Sequence, residues 1–178
     1  VGGDYYDFFE TESGEKWATI GDVSGHGVDS GLVMMMTQTS IFSILNRTSG
    51  YSPSKMLSSI NSVIRKNIFR LDMKRYMTLI ALKLGEKKLT VAGKHQDILI
   101  MRSRNRKVEV VSTNGTWIGI ADKIGDFTKD HEIKISKGDM ILLFTDGASE
   151  AADRDGELFG DERIIQSFKK NSSLPINE

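Results

Sequence analysis

The stretch Gly21-Asp22-Val23-Ser24-Gly25-His26-Gly27 decides how the chain is read. Before it, Trp17-Ala18-Thr19-Ile20 is an apolar run with the pattern of a short buried strand. After it, Val28 to Asn46 contains no proline and reads as a helix. An aspartate therefore stands where a strand ends, among glycines that let the backbone turn sharply. A carboxylate in that position is held rigidly and can aim its oxygens at a ligand. Two other acidic turns resemble it, Gly2-Gly3-Asp4-Tyr5-Tyr6-Asp7 and Phe144-Thr145-Asp146-Gly147. Singly, each is an ordinary turn. Together, two of them at the ends of strongly apolar strands, they are read as converging on one metal site.

Composition narrows the field. The 178 residues suit one domain with a sizeable core, and 24 basic residues balance 24 acidic ones. That balance removes the electrostatic argument for a nucleic-acid or anionic-membrane partner. Cysteine is absent, which excludes thiol nucleophiles, disulfides and cysteine zinc sites. No apolar run approaches the roughly 20 residues that cross a bilayer, so a cytoplasmic location is expected, with a membrane-anchored parent protein compatible. The opening Val1-Gly2-Gly3-Asp4 has no initiator Met and no basic leader, and suggests a piece of something longer.

Outward from the glycine-rich stretch, Phe8-Phe9-Glu10 breaks at Ser13-Gly14, a hairpin turn into Lys16 to Ile20. The helix from Val28 to Asn46 is apolar almost all round, so burial or a covering partner is expected. Ser52-Pro53 opens a second helix to about Arg70, with Ser52 as N-cap. Strands follow over Tyr76 to Leu84, Lys88 to Ala92, Ile98 to Arg102, Val108 to Val111, Glu132 to Ile135 and Met140 to Thr145, the last a continuous apolar run delivering Asp146. Asp161 to Lys169 is helical. Two adjacent helices followed by meandering strands predict an α+β fold, antiparallel sheet with segregated helices, without an internal domain boundary over 1–178.

Carboxylates without cysteine suit hard divalent cations such as Mn2+ or Mg2+. A hairpin between Asp4 and Asp22 can bring its two ends side by side. Two cations about 3.5–4 Å apart lower the pKa of a bridging water and clamp an in-line displacement at phosphorus.

Seven segments then carry a resemblance. They are VGGDYYD (1–7), GDVSGHG (21–27), Thr78-Leu79, Ala92-Gly93-Lys94-His95, GTWIGI (115–120), TDGASEA (145–151) and GELFGDERI (156–164). In this order they resemble the SpoIIE/RsbU-type branch of the metal-dependent protein phosphatases, related to protein phosphatase 2C, over nearly the whole chain. The resemblance implies an α-β-β-α sandwich of two antiparallel sheets flanked by helices. It implies hydrolysis of phosphoserine or phosphothreonine with two Mn2+ or Mg2+ ions, on a phosphorylated regulatory protein such as a STAS-type anti-sigma factor antagonist. It implies Asp22 as the carboxylate bridging both metals, Asp4 and the Val23 carbonyl as ligands of one, and Asp146 as a ligand of the other, with Gly147 keeping its turn tight. Family members usually have a strand before the GGDYYD turn and end with an Asp-Asp-x-Thr turn and a final strand, whose aspartate completes the second metal's ligands. Neither is found here. The expectation is therefore a domain clipped at both ends, with one metal or none well bound and poor activity. The rival expectation is a weak or inactive phosphatase-like binding module.

Several single residues have two readings. His26 shuttles a proton or, more simply, orders its loop by hydrogen bonding. His95 is structural in a turn that the resemblance places near the site, and His131 lies on the surface. Met34-Met35-Met36 is core, with a homodimer or sensor-domain contact through helix 28–46 as the second reading. Arg102, Arg104, Arg106 and Lys107 form a solvated hairpin or steer an acidic partner. Asp161 is a helix cap or an added ligand.

Overall fold

The computed structural model describes residues 2–47 and 49–174. The chain divides into two compact units, Val1–His95 with Thr113–Lys134, and Gln96–Ser112 with Ile135–Glu178. Each carries one antiparallel sheet. With four helices among the described residues the fold is α+β, as the pattern of elements predicts.

The first unit is built on a five-stranded sheet, β1 (Asp4–Glu10), β2 (Lys16–Val23), β3 (Met77–Leu84), β4 (Lys88–Lys94) and a later strand, His131–Lys134. Two helices, α1 (Val28–Arg47) and α2 (Pro53–Arg70), are inserted between β2 and β3. Alternation decides what they cover. Tyr5, Trp17, Val23, Met77, Leu79 and Ala81 share a buried cluster with Val33, Ile41 and Leu45 of α1 and Met56, Leu57, Ile60, Ile64 and Ile68 of α2. The α2 residues recur every three or four positions, as one helix face requires. Lys83 Nζ lies 5.2 Å from the Trp17 ring centroid and 2.6 Å from Glu15 Oε1. Burial works against the Glu15 carboxylate, yet the hydrogen bond and charge of Lys83 hold it below its ordinary range.

Two expectations about the helices change. Ser52 takes the N-cap position of α2 in an extended conformation but makes no side-chain cap bond. The Asp130 carboxylate does that work, accepting from Ser54 N–H at 2.8 Å and Ser54 Oγ at 2.9 Å. Helix α1 is not buried all round. Its buried stripe is Ser30, Val33, Thr37, Ile41 and Leu45, whereas Met35 and Phe42 are 58 % and 56 % exposed. Val28 and Leu32 join them in spacings of four, three and seven, a second apolar seam on the solvent side. Helix α1 has 20 residues and contains an 18-residue window of mean hydropathy 1.2, the length and composition of a membrane span, contrary to the reading of the sequence; a core helix has the same signature.

In the second unit, β5 (Ile98–Met101) lies between β6 (Val108–Val111) and a strand at Met140–Leu142. Numbered in chain order, His131–Lys134 is β7 and Met140–Leu142 is β8. β8 is three residues long, shorter than the apolar run to Thr145 suggested. Two helices follow, α3 (Asp146–Ser149) and α4 (Gly160–Asn171). The β5–β6 hairpin is less solvated than expected. Arg102 Nε meets Glu109 at 2.7 Å and Nη1 meets Asp139 at 2.9 Å. Arg106 donates to Ser172 Oγ at 2.8 Å. Burial alone would raise the Asp139 carboxyl. Donors from Ser103 N–H, Arg102, Ser136 N–H and the Ser103 hydroxyl outweigh it and hold the group at about 2.

Candidate metal centre

Asp4 opens β1, Asp22 is the last but one residue of β2, and the two are direct partners in the ladder. Residues opposed in an antiparallel pair send their side chains to the same face, with Cβ atoms about 4.5–5.5 Å apart. Thr78 of β3 is the partner of Asp22 on its other side. The Thr78 hydroxyl meets His95 Nδ1 at 2.8 Å just beyond β4. One row at the end of the sheet thus reads Asp4, Asp22, Thr78, His95. The sequence places the first two in turns; they lie inside strands, because β2 remains paired with both neighbours as far as Asp22.

Gly3 allows β1 to come this close. A Cβ there would stand 2.4 Å from the Val23 carbonyl oxygen and 2.9 Å from Asp22 Oδ1. Both oxygens therefore lie within 2.9 Å of a single point. The Gly3 carbonyl accepts the Val23 N–H at 3.1 Å, which fixes the Val23 peptide and so the direction of its own carbonyl. Like charges directly opposed destabilise a strand pair, and a divalent cation between them removes that cost. Two carboxylates and a main-chain carbonyl are the hard oxygen donors that Mg2+ and Mn2+ take. The residues fit the group.

The row is braced from behind. Asp22 N–H donates to Thr78 Oγ1 at 3.1 Å. His95 N–H donates to Thr113 Oγ1 at 3.1 Å, and the Thr113 hydroxyl donates back to the His95 carbonyl. His95 is thus buried and structural, at the site. Its tautomer sets which way the proton lies between Nδ1 and Thr78. Alongside Asp4, burial pushes the Tyr5 phenol up to about 12 although the Thr19 hydroxyl bonds it at 3.1 Å.

His26 is exposed and makes no side-chain hydrogen bond among the described residues. Ser24 orders that loop instead. Its N–H donates to the Tyr76 carbonyl at 2.8 Å, its Oγ accepts the Tyr76 N–H at 3.0 Å, and its carbonyl accepts the Ser30 hydroxyl at 3.3 Å. Asp146 belongs to the second unit, where it opens α3 after an extended Thr145. Asp161 stands in the first turn of α4, where a carboxylate suits the helix dipole. Among the described residues no three His, Cys, Asp or Glu side chains gather into a group able to hold a cation. Within the first unit the geometry brings together Asp4, Asp22 and the Val23 carbonyl. The bracing partner Thr113 carries no sequence signal of its own, since a lone hydroxyl distant in the chain looks like any other.

The chain is similar to known proteins both in sequence and in fold. The model of the Stage II sporulation protein E (SpoIIE) family matches residues 12–178. Phosphoserine phosphatase RsbU of Bacillus subtilis is 27 % identical over 161 residues, 89 % of this chain and 46 % of that protein. Protein IcfG of Synechocystis is 28 % identical over 199 residues, 97 % of this chain and 31 % of that protein. The chain thus spans less than half the length of these relatives. Among solved structures, the SiaA-PP2C domain of Pseudomonas aeruginosa superposes with a TM-score of 0.80 at 21 % identity, covering 99 % of this chain and 69 % of that one. The RsbU and RsbW domains of Rv1364c from Mycobacterium tuberculosis give 0.74 at 20 % identity, covering 97 % and 46 %. These superpositions show that the fold is that of PP2C-type phosphatase domains. With the family model matching residues 12–178, the protein belongs to the SpoIIE family.

Proposed function

We propose that residues 1–178 act as one phosphatase domain that hydrolyses phosphoserine or phosphothreonine on a regulatory protein, with a STAS-type anti-sigma factor antagonist as the substrate class. The observation that carries this reading is the direct opposition of Asp4 and Asp22, with the Val23 carbonyl and Asp22 Oδ1 converging where Gly3 leaves room. Asp4, Asp22 and the Val23 carbonyl would hold a Mn2+ or Mg2+ ion, and Asp146 enters as a further ligand on the family resemblance. Such cations, when bound, lower the pKa of a water and neutralise charge on the phosphoryl oxygens. The chain's own residues hold the donors still. Thr78 fixes the Asp22 main chain, and Gly3 fixes the Val23 peptide. The named activity of RsbU supports the phosphoserine substrate.

The regulatory partner is proposed to reach α1, whose exposed seam of Val28, Leu32, Met35 and Phe42 would meet a second copy or a sensor domain. A cytoplasmic location is part of this reading, and the balanced charge removes the electrostatic argument for a nucleic-acid partner. A module that holds a phosphoprotein without turnover is the second reading, favoured by the absence of a three-ligand cluster among the described residues. Manganese-dependent phosphate release from a phosphoserine peptide separates the two. Asp22→Asn should abolish release in a protein that still melts cooperatively. Wild-type protein that binds the peptide but releases no phosphate with either metal would establish the binding module.

A further inference from the structure

Arg75 sits in the connection from α2 to β3, and its guanidinium is laid on the backbone of the GDVSGHG loop. A Cβ at Gly25 would stand 2.6 Å from Arg75 Nη1, 3.1 Å from Cζ and 3.6 Å from Nη2. Gly25 has φ +77°, a conformation that favours glycine, and a Cβ there would push the guanidinium aside. The approach is fixed by the paired hydrogen bonds between Ser24 and Tyr76. They pin the residue after Ser24 opposite the residue before Tyr76.

Nothing among the described residues makes full use of this guanidinium. Asp29 Oδ2 lies 3.9 Å from Nη2, beyond hydrogen-bonding distance. Nε is closed off from solvent and has no acceptor. An arginine kept for solubility extends its head into water, whereas this side chain is only 29 % exposed. A buried donor left unpaired is costly, and such groups call for an explanation. The terminal nitrogens present a planar set of donors, a geometry that matches the oxygens of a phosphoryl group. Gly25 lies three positions after Asp22, a span of at most about 10 Å of chain. At the next position in the chain, the Tyr76 ring stacks on Trp117 at 4.7 Å with 15° between their planes, both partly exposed.

We propose that Arg75 binds the phosphoryl oxygens of the substrate, with the Tyr76–Trp117 stack as the floor under the flanking residues. This rests on the phosphatase reading above. It assigns a substrate-binding role to a residue outside the acidic turns, and it explains why an arginine is folded down against a glycine of that loop. Gly25 and Arg75 then act as a pair, since a side chain at Gly25 would displace the guanidinium.

The test uses Arg75→Met and Arg75→Lys with two substrates, a phosphoserine peptide and p-nitrophenyl phosphate, in manganese. Arg75→Met should raise KM for both substrates about tenfold or more, with a smaller change in kcat, and weaken inhibition by inorganic orthophosphate by a similar factor. Arg75→Lys should recover part of the loss, because it restores the charge without the fork. Unchanged KM and unchanged phosphate inhibition in Arg75→Met overturn the proposal. A loss confined to the peptide overturns it too, since Arg75 would then read an acidic neighbour of the phosphoserine. Should Arg75→Met fail to fold, Arg75→Lys carries the same comparison. Orthophosphate binding, followed by Trp117 fluorescence, keeps the two readings apart. An inactive wild type that binds phosphate through Arg75 defeats the phosphatase reading and upholds this one. An active wild type whose phosphate binding ignores Arg75 does the reverse.

Discussion

Gly3→Ala is the sharpest perturbation of the proposed centre, because it adds one methyl group at the point where the donors meet. The added Cβ would lie 2.4 Å from the Val23 carbonyl oxygen and 2.9 Å from Asp22 Oδ1. The first contact is with backbone, which cannot swing aside as a long side chain can. The end of β1 must move, at a cost of about 1–3 kcal/mol for an overpacked site. A chain of this size loses about 2–4 °C in Tm per kcal/mol, so the variant should melt roughly 2–12 °C lower without metal. The displacement also moves two of the oxygens proposed as ligands. Manganese at 100 times its Kd should stabilise the wild type by about 2.7 kcal/mol. A tenfold weaker site at the same concentration gains only about 1.4 kcal/mol. Thermal melting with and without manganese, on both proteins, reads the two effects separately. An alanine variant with the wild-type Tm and the wild-type manganese increment would falsify the placement of the donors around Gly3.

The other expectations follow from burial and charge. Trp17→Ala should cost about 3–5 kcal/mol in chemical denaturation, since the indole is fully buried in the main cluster; a cost under 1 kcal/mol would show that the cluster does not depend on it. Met35→Asp and Phe42→Asp, on the exposed seam, should change stability by about 0.5 kcal/mol or less, while altering sedimentation if the seam holds a second copy; a loss of several kcal/mol would show that the seam is core. The Asp139 carboxyl is depressed from 3.8 to about 2 in the folded chain. Its contribution is complete above pH 3.8 and is lost as pH falls towards 2. Asp139→Asn should therefore flatten the stability–pH curve over that interval, and an unchanged slope would contradict the Ser103–Arg102–Asp139 network.

Much of the fold is legible because periodicity is a local property. The α2 stripe, the β3 and β4 runs and the β5–β6 hairpin all stand close to where the sequence places them. The errors fall where a neighbour decides. Gly21 to Val23 reads as the start of a turn, but partners in β3 keep it in the sheet. Helix α1 reads as buried because hydropathy counts residues and cannot see which side has a neighbour; one stripe is covered and the other is not. Ser52 has the chemistry of a cap, yet a carboxylate 76 positions from Ser54 takes the role. Asp4 and Asp22 are visible from their spacing across a hairpin. Thr113 and Arg75 are not, because each matters only through a partner far away in sequence.

The position of the acidic row follows from what a sheet end offers. In mid-sheet the Asp22 peptide would be fixed by both ladders, but its side chain would face apolar neighbours such as Ile20 and Ile80, which are buried. Beyond the sheet it would have water and no fixed direction. On the last rungs it keeps ladder partners on both sides while its carboxylate is only half-buried. That placement lets two like charges face each other without the desolvation cost that a buried pair bears. It also requires glycine where chains converge: Gly3 against Val23, and Gly21, whose Cβ would stand 2.1 Å from the Thr78 carbonyl. Only some glycines of the two motifs make the turns they suggest. Gly3 and Gly21 set the closeness of three strands, while Gly25 and Gly27, both at positive φ, turn the chain towards α1. Precision at the donors is thus a property of strand packing, and a substitution at Gly21 should disturb Asp22 as surely as one at Gly3.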